Sequence, residues 1–323
     1  MAKQKHTTER AKVQDGGSST PQLIDPMWIL RTVGGLVGLA LVCGYLTLCL
    51  LFWQGAWQLM LHPAKNSAIL QMPGVPMEQI SFAVDETGTP RLRGYWIPAA
   101  NVDAKYAVLY LRGGDASLAS DAGDAGNLRM LHDAGLHILA FDYRGYGQSA
   151  LPHPSEKNML QDAGWAYDFL TQQRGYAPDH VLLWGEGLGA SIATQLTANR
   201  STSFAALILD QPNATVVASV KADPRARILP AGLLLRDRFE ISALPNINTP
   251  KLLMQTEPVD PSSQSRNDKA VAELYRNAAS PKMTVSFAPG ENLDAVRREQ
   301  LRRFLDAWVP AARPMPPLPL PVR

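Results

Sequence analysis

Histidine, serine and cysteine are the side chains from which this chain of 323 residues could build a nucleophilic site. A serine nucleophile needs an imidazole that takes its proton and then returns that proton to the leaving group. The chain has six histidines, His6, His62, His132, His137, His153 and His180. None of them follows residue 180, so the last 143 residues contain no histidine base.

One histidine, His153, lies on a loop that follows a predicted strand, at the end of the sheet where α/β proteins build their sites. A relay that combines His153 with Ser117, Ser149 or Ser191 is therefore one hypothesis for catalysis. No second histidine lies close to it, and both cysteines fall in an apolar run. The sequence therefore predicts no metal and no cofactor.

Short apolar runs alternate with helical patterns over residues 66–310, which is typical of β-α-β units and a mostly parallel sheet. The predicted strands are 79–84, 91–97, 107–111, 137–141, 181–184, 205–209, 251–255 and 283–287. The predicted helices are 126–134, 156–172, 190–198, 268–277 and 293–308, and Ser155 is the predicted N-cap of the second. We predict one α/β domain with a lid-like insertion at about 211–249.

The N-terminal part contains 22 residues without a formal charge, Thr32–Trp53, which is long enough to cross a bilayer. No small-residue cleavage site follows, so a retained single-pass signal anchor at 28–57 is favoured over a cleaved signal peptide. A polar tail, 1–27, precedes the anchor, and a Pro-rich tail, 311–323, follows the domain.

The distribution of charged residues indicates which partners the chain can bind and how the membrane helix is oriented. The formal net charge is +2, spread along the chain, so no basic surface for nucleic acid is predicted. Lys12 and Arg31 precede the span closely, whereas only Lys65 follows it closely. This bias predicts a cytoplasmic N-terminus and a main domain outside the cytoplasm, in the periplasm of a Gram-negative host.

Several motifs together resemble the α/β-hydrolase superfamily. They are residues 94–98 (GYWIP), 140–149 (AFDYRGYGQS), 154–156 (PSE), 181–190 (VLLWGEGLGA) and 233–239 (LLLRDRF). The resemblance is greatest to a membrane-anchored branch related to serine aminopeptidases and abhydrolase-type depalmitoylases. It implies an α/β-hydrolase fold over about residues 78–308.

The positions that the resemblance assigns to catalysis hold other residues. In this superfamily a Gly-x-Ser-x-Gly turn carries the nucleophile, and the acid and the histidine follow in that order. Here the nucleophile position is Gly187, and the base position is Glu291. The acid position matches Val259, with Asp260 one residue later. A glycine at 187 removes most of the cost of a strained turn, and we expect it to relax that turn.

The loop after the strand 107–111 also departs from the superfamily pattern, in which His-Gly is usual. The residues predicted to form a vestigial pocket are Arg112, Gly113, Gly114, Glu186, Gly187, Leu188 and Glu291. One hypothesis makes this pocket an anion site of glycine amides and Arg112 at a helix N-terminus, although Asp115 and the two glutamates would offset its charge. In the other hypothesis, an ion pair between Arg112 and Glu291 fills the pocket.

These observations favour a membrane-tethered protein without hydrolase chemistry that acts in binding or as an accessory. The alternative is an active esterase, thioesterase or peptidase with an unorthodox site. A third hypothesis gives the role to the membrane helix, in which Gly34 and Gly38 are four residues apart, as are Ala40 and Gly44. Such spacing lets helices approach closely in lipid, either between two copies or with another protein.

The charge bias yields a test of topology. Protease added to intact spheroplasts should digest residues 66–310, because the bias places them outside the cytoplasm. Immunoblotting with a cytoplasmic marker as the control measures this. Protection of the domain in intact spheroplasts would reverse the orientation.

Overall fold

The computed structural model describes residues 26–309 except 64–67, 85–87, 102, 115–116, 121, 151, 201–202, 227, 259, 261–263 and 289–292. The Pro-rich tail lies outside the described residues, as does the N-terminal tail up to residue 25. The chain divides into two compact units, one up to Leu50 and one from Leu51 onward.

The first long element is helix α1, Pro26–Gly55, which continues as a short 3-10 turn, Ala56–Leu59. No side chain of α1 is buried, and the helix is long and apolar enough to cross a membrane. Two hydroxyls within it are satisfied locally, since Thr32 and Thr47 donate to carbonyls four residues earlier. The helix is therefore compatible with the predicted anchor.

The domain is built on one eight-stranded sheet. Its strands are β1 (Glu78–Val84), β2 (Pro90–Ile97), β3 (Ala107–Leu111), β4 (His137–Asp142), β5 (Val181–Glu186), β6 (Ala206–Asp210), β7 (Lys251–Thr256) and β8 (Lys282–Phe287). The spatial order is β1-β2-β4-β3-β5-β6-β7-β8. Strand β2 pairs antiparallel with β1 and β4, and all other pairs are parallel. This confirms the predicted fold class.

Helices cover both faces of the sheet. They are α2 (Ala122–Asp133), α3 (Glu156–Asp168), α4 (Leu188–Asn199), α5 (Val217–Ala222), α6 (Ala231–Leu234), α7 (Arg266–Asn277) and α8 (Leu293–Trp308). Helices α3, α4 and α7 pack on one face, and α2 and α8 pack on the other. Helix α3 begins after the predicted cap, where Asn158 N donates to Ser155 Oγ at 3.2 Å.

The region predicted as a lid-like insertion contains α5 and α6. Three of its later residues, Phe239, Ile241 and Leu244, are fully buried in the core on the α3 and α4 face. This part of the insertion therefore contributes to the domain core.

The turn from β5 into α4 depends on two glycines that allow backbone to approach backbone. A Cβ at Gly185 would lie 2.5 Å from Ala190 Cα, and a Cβ at Gly189 would overlap the Leu111 carbonyl oxygen. No side chain fits at either position without a backbone shift. The start of α4 is thereby held directly against the end of β3.

Two helical glycines give a matched test of this packing. Gly189→Ala should destabilise the domain by about 3 kcal/mol because the added methyl overlaps main chain. Gly126→Ala, on an open face of α2, should instead stabilise it by about 1 kcal/mol through helix propensity. Urea denaturation of the full chain in detergent, followed by tryptophan fluorescence, measures both. Equal effects of the two substitutions would contradict the packing described here.

Candidate functional site

The centre of the candidate site is Gly187, which stands between β5 and α4. Its backbone has φ +54° and ψ −115°, and its N–H donates to the Asp210 carbonyl at 3.0 Å. Few residues other than glycine adopt this left-handed region without strain. Glycine adopts this conformation without that cost, and the turn is sharp, as a nucleophile elbow is, and not relaxed as expected.

Space is available at this position for a small side chain. A Cβ built on Gly187 would meet only Gly113 Cα, at the ordinary contact distance of 3.8 Å. The residue that faces the turn is therefore a glycine of the loop after β3. The structure brings together Gly113, Gly187 and Leu188, three members of the predicted pocket.

The same loop is covered by the segment that follows α1. Leu61 is only 1% exposed, and a Cβ at Gly114 would lie 2.5 Å from Leu61 Cδ2 and 3.1 Å from Leu188 Cδ1. The Gly114 carbonyl also accepts hydrogen bonds from Tyr146 Oη at 2.6 Å and from His62 N at 3.1 Å. Apolar side chains and main chain therefore occupy the space beside Gly114.

Arg112 lies in the interior and pairs with a carboxylate on α2. Its side chain is 5% exposed, and its Nε donates to Asp124 Oδ2 at 2.8 Å. Burial raises the pKa of Asp124 to about 6, although Arg112 opposes that shift. Asp124 therefore offsets the Arg112 charge. The predicted partner Glu291 lies outside the described residues, as do Asp115 and Val259.

Glu186 extends this cluster along the sheet. Its Oε2 accepts hydrogen bonds from Tyr110 Oη at 2.6 Å and from Asn127 Nδ2 at 3.1 Å. Tyr110 Oη is also 2.9 Å from Asp124 Oδ1. The side chain beside the elbow is thus held within a buried network shared with α2.

A second carboxylate, Asp210, lies next to Glu186 at the end of β6. It is fully buried, and its Oδ1 accepts a hydrogen bond from Arg297 Nη2 on α8 at 3.1 Å. Its Oδ2 has no hydrogen-bond partner within the described part of the chain. Burial raises the pKa of Asp210 to about 7, Arg297 opposes the shift, and Glu186 adds to it.

The residues of the 140–149 motif support the loop after β3. Asp142 Oδ1 accepts from Leu118 N at 2.8 Å, and Ser149 Oγ donates to the Asp142 carbonyl at 2.6 Å. Arg144 forms a buried ion pair with Asp162 on α3, with Nε and Oδ1 2.6 Å apart. These contacts give the motif a structural role in joining β4, α3 and the loop.

The alternative base, His153, lies on an exposed loop. Its ring stacks on Trp57 with centroids 4.6 Å apart, and its Nδ1 is 3.0 Å from the Pro154 carbonyl oxygen. The three candidate serines bond elsewhere. Ser117 Oγ lies 3.0 Å from Ser120 Oγ, Ser149 Oγ donates to Asp142, and Ser191 Oγ donates to the Glu240 carbonyl at 3.2 Å. Among the described residues, no hydrogen bond joins any of them to His153.

Asp260 follows β7 and is exposed. Strand β7 ends at Thr256, whose hydroxyl accepts from Gln211 Nε2 at 2.6 Å. Within the described ranges, no group of three His, Cys, Asp or Glu side chains is arranged to hold a metal ion.

Sequence reasoning missed Asp124, Asn127, Asp210 and Arg297. A usable signal was the position of Asp210, a carboxylate at the end of an otherwise apolar strand. The strand order then places it beside Glu186. The pairing with Arg297 spans 87 residues of sequence, and no local pattern indicates it.

Asp210 should make stability fall as the pH rises. The folded state holds its proton up to about pH 7, whereas an unfolded aspartate releases it near pH 4, so unfolding releases a proton between these values. The free energy of unfolding should drop by about 2 kcal/mol from pH 5 to pH 7 because of this group.

Urea denaturation of the full chain in detergent at pH 5, 6 and 7 measures the slope. Asp210→Asn should flatten it, whereas Asp306→Asn on the exposed side of α8 should leave it unchanged. An unaltered slope in Asp210→Asn would show that other groups titrate.

Comparisons with known proteins identify relatives of this chain. The family model for serine aminopeptidase S33 matches residues 125–297, more than half of the chain. The uncharacterized protein Rv2307c of Mycobacterium tuberculosis is 34% identical over 225 residues, which is 67% of this chain and 75% of that protein. The lysophosphatidylserine lipase ABHD12 of Danio rerio is 32% identical over 150 residues, 41% of this chain and 37% of the lipase.

Solved structures show the same fold. The Pyrococcus furiosus esterase Pf2001 aligns with a TM-score of 0.60 at 15% identity, over 77% of this chain and 98% of the esterase. An α/β-hydrolase from Vibrio vulnificus aligns with a TM-score of 0.54 at 22% identity, over 73% of this chain and 81% of that one. The chain therefore belongs to the serine aminopeptidase S33 family of the α/β-hydrolase superfamily.

Proposed function

We propose that this chain is a membrane-tethered α/β-hydrolase-fold protein without hydrolase chemistry, which acts as a binding or accessory protein. The observation that carries the proposal is Gly187. It keeps the elbow conformation at the start of α4, yet it has no side chain that could attack a substrate.

The missing base supports the same proposal. No histidine follows His180 in the sequence, so the order nucleophile, acid, histidine has no imidazole to complete it. His153 stacks on Trp57 and bonds to its own loop. Glu291, at the position that relatives use for the histidine, would be a poor substitute, because an ionised carboxylate is a weaker base than imidazole at neutral pH.

The surroundings of the elbow also argue against substrate binding there. Arg112 is buried and paired with Asp124, so its charge is already compensated. Leu61 and Leu188 fill the space beside Gly114. This arrangement favours a filled, vestigial pocket over an anion site at the start of α4.

We further propose that α1 retains the protein in a membrane with the domain outside the cytoplasm. A Cβ added at Gly34, Gly38 or Gly44 would meet no described atom within 4 Å, so these positions are open to a second helix. Ala40 lies four residues before Gly44. Pairing through these four residues, with another copy or another protein, is the interaction that α1 supports best.

Restoring the nucleophile alone should not restore activity. Gly187→Ser should fold, since a Cβ fits there, but the serine hydroxyl would lack a general base, which is worth a factor of roughly 10²–10⁴. Hydrolysis of p-nitrophenyl acetate by the full chain should stay at the buffer rate in wild type and in Gly187→Ser. Gly187→Ala controls for the effect of the added Cβ on stability.

Turnover by wild type that is abolished in His153→Ala or Ser149→Ala would contradict the proposal. It would establish the alternative, an active serine-type hydrolase with an unorthodox site.

A further inference from the structure

The domain contains a cavity of about 600 Å³, which is lined in part by the residues at the end of the apolar run and directly after it. Trp53, the last residue of that run, and Trp57 line the cavity. The loop before α3, the first turn of α3 and the segment after α6 also line it, through His153, Lys157 and Arg236. A volume of this size suits a small ligand or a lipid headgroup.

Aromatic and cationic side chains alternate on the wall. The Arg236 guanidinium lies 4.7 Å from the ring centroid of Trp53, and the His153 ring stacks on Trp57 at 4.6 Å. Tryptophan beside a span is typical of the level of the lipid headgroups, where one end of the indole is apolar and the other is wet. Arginine and lysine at this level attract anionic groups.

Two cations of the cavity are available to a ligand. Lys157 and Arg236 are both exposed, and neither forms an ion pair within the described residues. The acidic groups nearby are largely engaged. Glu156 accepts from Arg238 N at 2.7 Å and from Gln195 Nε2 at 2.5 Å.

The remaining acid, Asp237, also lines the cavity. Burial raises its pKa, and a hydrogen bond with the Glu156 backbone opposes that shift. The charge of Glu156 adds to the shift, while Arg236 opposes it. Even with Asp237 ionised, the lining has two cations against one carboxylate. Polar donors from Gln54, Ser155 and Asn158 complete a wall that is suited to an anion with several oxygens.

We propose that this cavity binds the phosphodiester headgroup of a glycerophospholipid, with Arg236 and Lys157 on the phosphate oxygens and Trp53 and Trp57 beside the glycerol. The site is independent of the chemistry at Gly187, because binding requires no turnover. Met60 lines the cavity, and the next residue, Leu61, packs on Gly114. An occupant therefore sits next to the segment that covers the loop after β3.

Binding to short-chain lipids tests the proposal. The full chain in nonionic detergent is titrated with dihexanoylphosphatidylglycerol, and microscale thermophoresis gives the Kd. The double variant Lys157→Gln with Arg236→Gln should bind at least tenfold more weakly, since two charge-assisted contacts are lost. Arg236→Lys should recover part of the affinity.

A matched double variant, Lys269→Gln with Arg303→Gln, removes two exposed cations from α7 and α8 and should bind as wild type does. Glycerophosphoglycerol, the headgroup without acyl chains, separates the sources. Weaker binding of this compound assigns the site to membrane lipid, as proposed, and equal binding reassigns it to a soluble phosphodiester. An unchanged Kd in the Lys157 and Arg236 variant, or the same loss in the control variant, would overturn the proposal.

Discussion

The architecture of this domain depends on the close approach of two backbones, the first turn of α4 and the end of β3. Gly189 allows that approach, because any side chain there would overlap the carbonyl oxygen of Leu111. Gly185 does the same on the strand side of the turn, against Ala190. Between these two glycines the chain turns sharply from β5 into α4. Gly187 makes this turn with a backbone φ of +54°. The loop that follows β3 is placed opposite the turn by the same contact.

This constraint separates the parts of the motif that serve the fold from the part that would serve catalysis. The two outer glycines are required by packing, whatever the protein does. The central position has room for a side chain and needs only a residue that tolerates a left-handed backbone. The packing of the turn therefore does not depend on which small residue stands at position 187. The 140–149 motif follows the same logic, since its Asp142, Ser149 and Arg144 hold the neighbouring loops in place.

Much of the fold could be predicted from local patterns. Strand β3 and helix α8 have the predicted bounds, and Ser155 caps α3 as predicted, because an apolar run or a cap is a property of adjacent residues. The partners of buried charges could not be predicted in this way. Arg112 was considered against Glu291, whereas the described structure pairs it with Asp124, twelve residues away on α2. Such a pair depends on how α2 packs against the sheet. This packing cannot be read from the periodicity of the sequence.

The cavity beside α1 was also beyond sequence reasoning, since its wall is assembled from segments around residues 53, 155 and 236. Trp53 was recognised only as the boundary of an apolar run, and Arg236 only as part of a motif. Folding brings the two side chains into contact. Lys157 and Arg236 in this cavity form no ion pair within the described residues, whereas Arg112 beside the elbow is paired with Asp124.

Covalent labelling tests the proposal that the elbow carries no nucleophile and that no other serine replaces it. The full chain in native membranes is treated with a fluorophosphonate and purified, and its mass is then measured by intact mass spectrometry. We expect an unmodified mass, because an unactivated serine does not react at an appreciable rate. A single stoichiometric adduct that is lost in His153→Ala would contradict it.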